Sequence, residues 1–238
     1  LEDNFQIIDD NEANEILTDV SRIWLQNHPT ALDEFMSAEL DQEKMDWVRR
    51  EHIPNLVRDI GLSFIRYAKD QRETPDHLSN ILDSLPIPLP LAMMGCDIYA
   101  GYQRALAYRG AVDFDDLIRL SLLTLESDAQ LLERLRFRWP YILEDEAQDS
   151  SQLQEQILRL LCGPHGNWVR VGDPNQAIYE TFTTANPDFL RDFMLQPDVN
   201  PHSLPNSGRS TEGIINLANS LVDWTQTQHP LLEARQAL

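Results

Sequence analysis

The stretch YILEDEAQDS, residues 141–150, decides how the rest of the chain is read. Tyr141, Ile142 and Leu143 run straight into Glu144, Asp145 and Glu146, with Gln148 and Asp149 close behind. A short apolar run with polar flanks fits a buried strand. Clustered carboxylates repel one another by roughly 1 kcal/mol per pair at contact distance, even in water. A bound cation offsets that cost. The plainer alternative makes Glu144, Asp145, Glu146 and Asp149 a solvated strand-to-helix loop, with Asp149 or Ser150 capping the next helix.

The pattern continues downstream. Residues 151–161 read as a helix with Leu153, Ile157, Leu160 and Leu161 on one face. The segment NWVRVGD, 167–173, reads as a second short strand ending in Asp173. Residues 187–194 look helical. VNPHSL, 199–204, is expected as a third strand. Residues 211–224 read as a helix expected to turn Ile214, Ile215, Ala218, Leu221 and Val222 inward. Strand alternating with helix implies a parallel sheet with crossover connections. In such a sheet the carboxyl ends of the strands share one edge, where ligands bind. Asp145 with Glu146 and Asp173 then tip two strands at that edge. Mg²⁺ suits the place, because it takes a carboxylate, several waters and substrate phosphates. The residues therefore point to a Mg²⁺-nucleotide site, one acid near the metal and the next orienting or deprotonating a water.

Upstream, the first 135 or so residues read as helical. Ile16, Leu17, Val20, Ile23 and Trp24 recur at helical spacing after a polar stretch, 9–11, able to cap a helix. Met45, Val48, Leu56, Ile60, Phe64 and Tyr67 mark another long stretch, interrupted near Pro54. Thr74-Pro75-Asp76 has the form of an N-cap followed by proline at the first helical position. The proline-rich SLPIPLPLAMMG, 84–95, is expected as a loop. Further helices follow through Ile98, Tyr102, Ala105 and Leu106, then over 113–125 and 130–137.

Composition narrows the partners. The formal charge of −20 opposes a generic nucleic-acid or membrane surface, so any contact with nucleic acid is local or supplied elsewhere. No run of 18 apolar residues suggests a membrane span, and the acidic start is unlike a signal peptide. Cys96 and Cys162 lack CxxC spacing and read as reduced and buried in a cytoplasmic protein. The six histidines show no metal-ligand spacing, which argues against zinc. The five tryptophans are expected in the core.

ILEDEAQD, then VRVGDPNQAIYE, then LPNSGRST form an ordered set. Together they resemble three consecutive motifs of superfamily 1 helicases of the UvrD/Rep type, usually written ILVDEFQD, VGDxxQSIY and LxxNYRST. YQRALAYRGAVDFDDLIRL and FQIIDDNEANEIL are similar to family segments upstream. The resemblance implies an α/β fold, a RecA-like P-loop motor portion preceded by a largely helical subdomain. Residues 1–136 would be the helical insertion, 137–197 the second part of the first motor domain, and 198–238 the start of the second.

The resemblance also implies an ATP-dependent DNA helicase that translocates on single-stranded DNA and unwinds duplex, with a place in DNA repair expected. Asp145 would hold Mg²⁺ and Glu146 would activate water. Gln176 would sense the γ-phosphate, and Arg209 would contact it from the second motor domain. Gln148, Asp173 and Tyr179 stand beside these as candidates for contact with ATP. Phosphoryl transfer needs these parts: a metal, a positioned water and a cation for the developing charge.

There are departures. The aromatic-arginine pair that usually follows QSIY is missing, leaving Phe182 as a candidate for stacking on DNA. Gly208 stands where the family usually has tyrosine, and Glu144 where it has an apolar strand residue. Neither lysine, Lys44 or Lys69, lies in the phosphate loop GxxxxGK[ST]. That loop is expected upstream of residue 1, so the chain is expected to be an internal helicase segment, inactive alone. A non-motor helicase-like protein that serves protein interaction or regulation is the alternative; a Mg²⁺-dependent nuclease is a third reading.

Overall fold

The computed structural model describes residues 5–36, 41–164, 166–177 and 184–236. Tyr179 and Phe182 lie outside them. Helices dominate, with two small parallel sheets among the described residues.

Strand β1 (Gln6–Ile7) leads into helix α1 (Asp10–Asn27). Asp9 starts the helix: its side chain accepts the N–H groups of Asn11 and Glu12, in a capping box with Glu12. Helices α2 (Gln42–Glu51) and α3 (Ile53–Asp70) are separated at His52, two residues before Pro54, which occupies the second position of α3, where its missing N–H costs nothing. Helix α4 (Pro75–Ser84) has Thr74 as N-cap and proline at its first position, as expected. The proline-rich loop is shorter than expected. Helix α5 (Pro90–Arg109) already begins at Pro90, and ends on Gly110 in the left-handed region. Strand β2 (Ala111–Val112) pairs in parallel with β1, Gln6 opposite Ala111.

Val57, Ile98, Leu17, Leu106 and Met94 form the centre of the core between α1, α3 and α5. Gly61 and Gly95 let these helices approach, since an added Cβ would press on Ile98 or Phe64. Ile23, Leu56 and Tyr67, which the helical spacing places on the apolar stripes, are largely exposed.

Helices α6 (Phe114–Ser127) and α7 (Ala129–Arg138) then lead to strand β3 (Tyr141–Glu144). Helix α8 (Gln152–Cys162) crosses to strand β4 (Asn167–Arg170), which runs parallel to β3 with Glu144 opposite Arg170. Ile142, Glu144, Trp168 and Arg170 point to the covered side, whereas Tyr141, Leu143, Val169 and Val171 form an open apolar face.

Helices α9 (Asp188–Met194), α10 (Glu212–Gln228) and α11 (Leu232–Gln236) complete the chain. The third strand expected over 199–204 is not formed. Pro201 within it and Pro205 just after it remove ladder donors. Helix α10 forms where expected and packs on α11, but Ile214, Leu221 and Val222 are exposed rather than inward.

Both cysteines are free, Cys96 buried and Cys162 partly so. The tryptophans correct an expectation. Trp47, Trp139 and Trp224 are about half exposed rather than core. Each sits beside a polar neighbour: His52, the Arg138 guanidinium and His229. No described helix is long and apolar enough to cross a membrane.

Candidate functional site

The side chain of Glu144, the last residue of β3, is buried. Its carboxylate accepts hydrogen bonds from the Ser150 hydroxyl and from Trp168 Nε1 at 3.1 Å, and pairs with Arg170 Nε at 2.7 Å. Arg170, whose side chain is fully buried, also pairs with Glu155 at 2.7 Å and donates to the Phe189 carbonyl. Its guanidinium lies over the Trp168 ring, 4.6 Å from the centroid. Glu155 meets Arg159 as well. Burial pushes the Glu155 carboxyl upward, opposed by the charges of Arg170 and Arg159. The departure at Glu144 thus has a physical reason. It neutralises a buried arginine on the adjacent strand, and the two together fasten the strand ends that carry the acids. Opposite charges at the last positions of two short strands were the sequence signal, readable only once the register was known.

Just past that fastening, the backbone turns sharply. Glu146 adopts the left-handed region, φ 52° and ψ 42°, which costs a non-glycine residue about 1–2 kcal/mol. The Glu146 N–H donates to Asp145 Oδ1 at 3.0 Å, and both side chains are exposed. The Ala147 N–H donates to the Val171 carbonyl, and the Val171 N–H to the Glu144 carbonyl, which extends the β3–β4 ladder beneath the acids.

Gln148 joins the two strand ends. It is buried, and its Nε2 donates to Glu146 Oε2 at 2.7 Å while its Oε1 accepts the Asp173 N–H at 3.1 Å. Gly172 makes this possible, since a Cβ there would collide with Gln148 Oε1 and lie 3.0 Å from the Ala147 nitrogen. Asp173 in turn accepts the Asn175 N–H and, on Oδ2, the Gln176 amide at 2.9 Å. Asp145, Glu146, Gln148, Asp173 and Gln176 therefore stand together at one edge of the sheet.

The solvated-loop alternative is corrected in two places. The Glu144 side chain is buried and ion-paired, and Ser151, not Asp149 or Ser150, caps α8. Asp149 instead carries a buried oxygen with no hydrogen-bond partner among the described residues.

Arg209 is not joined to this edge by any hydrogen bond or ion pair among the described residues. It is exposed in the turn before α10. Asp145 has the donor chemistry for Mg²⁺. It is exposed, has no cationic partner among the described residues, and commits only Oδ1 to the backbone. The described residues contain no group of three or more His, Cys, Asp or Glu side chains placed to hold a metal by themselves, so phosphate and water would have to complete the shell.

Lys69 serves a different purpose from phosphate binding. It is fully buried, 2.6 Å from Asp113 and 3.0 Å from Asp116. Burial alone would raise the Asp113 carboxyl. The Lys69 ammonium, with hydrogen bonds from Lys69, the Asp116 N–H and the Tyr102 hydroxyl, instead draws it below the usual range.

Residues 1–197 match the family described as the UvrD/REP helicase N-terminal domain. The ATP-dependent DNA helicase UvrD1 of Mycobacterium tuberculosis is 33% identical over 186 residues, covering 69% of this chain and 24% of that protein. UvrD2 of the same organism is 36% identical over 140 residues, 57% of this chain and 20% of that protein. The ATP-dependent DNA helicase PcrA of Staphylococcus aureus is 32% identical over 139 residues, 58% of this chain and 19% of that protein. The chain spans about a quarter or less of the length of these curated relatives. With the match extending from the first residue through both acid-tipped strands, the chain belongs to the UvrD/REP helicase N-terminal domain family.

Proposed function

We propose that this chain supplies the hydrolytic edge of an ATP-dependent DNA helicase that moves on single-stranded DNA and unwinds duplex. The observation that carries the reading is the pairing of Asp145 and Glu146 at the end of β3 with Asp173 and Gln176 just past the parallel β4, joined through Gln148.

In this reading residues 137–197 are the second part of a RecA-like motor domain, 1–136 its helical insertion and 198–238 the start of a second motor domain. Asp145 would hold Mg²⁺ through its free oxygen. Bound there, the metal supplies charge neutralisation on the nucleotide phosphates. Glu146 orients the attacking water and accepts its proton, with Gln148 fixing the carboxylate. Gln176 sits one hydrogen bond from Asp173 and answers to the γ-phosphate. Tyr179 and Phe182 are assigned to nucleotide and DNA contact.

Arg209 reaches the phosphates only when the segment that bears it closes on the edge, and its planar fork suits that contact. The 238 residues hold no GxxxxGK[ST] loop, so turnover is assigned to a protein in which such a loop is supplied.

The test is ATP hydrolysis by the full-length gene product with Mg²⁺ and single-stranded DNA. We expect DNA-stimulated turnover that EDTA abolishes and that Arg209→Ala lowers by 10²-fold or more, on the order of a lost transition-state donor. Absence of nucleotide hydrolysis by the intact product, or metal-dependent DNA cleavage without nucleotide, would overturn the reading in favour of a non-motor protein or a nuclease.

A further inference from the structure

Helix α8 starts two residues after the loop that carries Asp145 and Glu146, so whatever holds its first turn also holds that loop. An α-helix leaves its first N–H groups without partners inside the helix. Here they are all satisfied, and the satisfaction is divided between two parts of the chain. The Ser151 hydroxyl accepts the Gln154 N–H, and the Gln154 side chain accepts the Ser151 N–H, a capping box local to the helix. The remaining two are taken from far away in sequence. Asp70 Oδ2 accepts the Gln152 N–H at 3.2 Å, and Asp70 Oδ1 accepts the Leu153 N–H at 3.1 Å.

Asp70 is the last residue of α3 and is 5% exposed. Its charge faces the positive end of the α8 dipole. The neighbouring Gln71 amide donates to Gln152 Oε1 at 2.9 Å. On its other side Lys69 is bound to Asp113, the N-cap of α6, and to Asp116 in the first turn of α6. Two adjacent residues at one helix end thus grip the N-termini of two other helices. A buried carboxylate at a helix start that already has its own capping box is not needed to form the helix. It fixes where the helix begins in space.

The path from there to the acids is short and rigid. Ser150 is buried, its hydroxyl donates to Glu144, and its carbonyl accepts the Asn186 N–H. The Asp149 N–H donates to the Glu146 carbonyl, and Gln148 holds the Glu146 side chain. The acid loop is therefore clamped at one end by the β3–β4 ladder and at the other by α8. We infer that Asp70 is a positioning residue for the Asp145–Glu146 pair, through which the helical part of the chain sets the geometry of the hydrolytic edge. This rests on the functional reading above for its consequence in turnover, but not for its structural test.

The test is amide hydrogen exchange on this 238-residue chain, without nucleotide, comparing wild type with Asp70→Asn. Asparagine keeps the shape but offers one acceptor where the carboxylate offers two. We expect amides of 145–153 to exchange about tenfold faster, with the core amides of α1 and α5 unchanged, since local opening is set by local contacts. Gln71→Ala, a milder change, should give the same pattern with a smaller rise. It stands in if Asp70→Asn fails to fold. Faster exchange spread evenly over the chain would mean a general loss of stability and overturn the inference. Unchanged exchange at 145–153 in a folded variant would overturn it too. Loss of ATP turnover plays no part in either outcome, so this inference and the hydrolytic reading fail separately.

Discussion

Glu144 and Arg170 show what a single residue pair contributes here. Removing one partner of a buried ion pair leaves an uncompensated charge and costs about 3–5 kcal/mol. Glu144→Val, the apolar residue that the family motif ILVDEFQD carries at this position, should therefore lower stability to urea by that order, although valine suits a strand. Combining it with Arg170→Leu should cost less than the sum of the single changes by at least about 1 kcal/mol, because the stranded charge goes too. Strict additivity would show that the pair does not interact. Lys69 and Asp113 make a second buried pair, with a pH signature. The Asp113 carboxyl is lowered from its ordinary 3.8, so its stabilisation is complete above that value and is lost as pH falls through the lowered one. Glu155 has the opposite sign. Its carboxyl is raised from 4.5, so its contribution is present below 4.5 and lost as pH rises. Asp113→Asn should remove the first dependence and leave the second, measurable as urea midpoints between pH 3 and 6. Of these residues, only Asp113, at the start of a helix the sequence marks, was legible, and only as a helix start. The roles of Glu144 and Lys69 depend on partners 26 and 44 positions away.

At the scale of elements, local signals were the most legible. Asp9, Thr74 and Asp113 each cap the helix whose start the sequence marks, because a cap needs only neighbours along the chain. Thr74→Ala should cost about 1 kcal/mol in thermal or urea unfolding. The two acid-tipped strands were legible from the change of pattern at Trp139, and the parallel pairing from the helix between them. The third strand was misread because the alternation of strand and helix was carried forward past Pro201 and Pro205. The Gln148 link was not legible at all, since it depends on Gly172 approaching a side chain 24 positions earlier. Gly172→Ala should break that link. We expect destabilisation of about 1–3 kcal/mol from the overpacking alone, together with faster amide exchange at Asp173. Unchanged exchange there would show that the loop repacks without loss.

For the whole molecule, charge and exposed apolar surface pull in different directions. A formal charge of −20 keeps copies apart, yet β3 and β4 leave Tyr141, Leu143, Val169 and Val171 on an open face, and α10 leaves Ile214, Leu217 and Leu221 uncovered. Contiguous apolar surface of this kind marks a site of association. The isolated chain should bind a hydrophobic dye such as ANS while folded, and should self-associate as salt screens its charge. A folded chain that stays monomeric and binds no dye at 0.5 M salt would show that these faces are covered in solution. The central claim concerns one carboxylate on the edge of this sheet. The most direct measurement compares the full-length gene product with its Glu146→Gln variant for ATP binding and for DNA-stimulated ATP hydrolysis. Binding kept within a few-fold, with turnover reduced by 10²-fold or more, is the result expected of a residue that handles the water and its proton. Turnover retained in Glu146→Gln would contradict the assignment of this edge as the hydrolytic site.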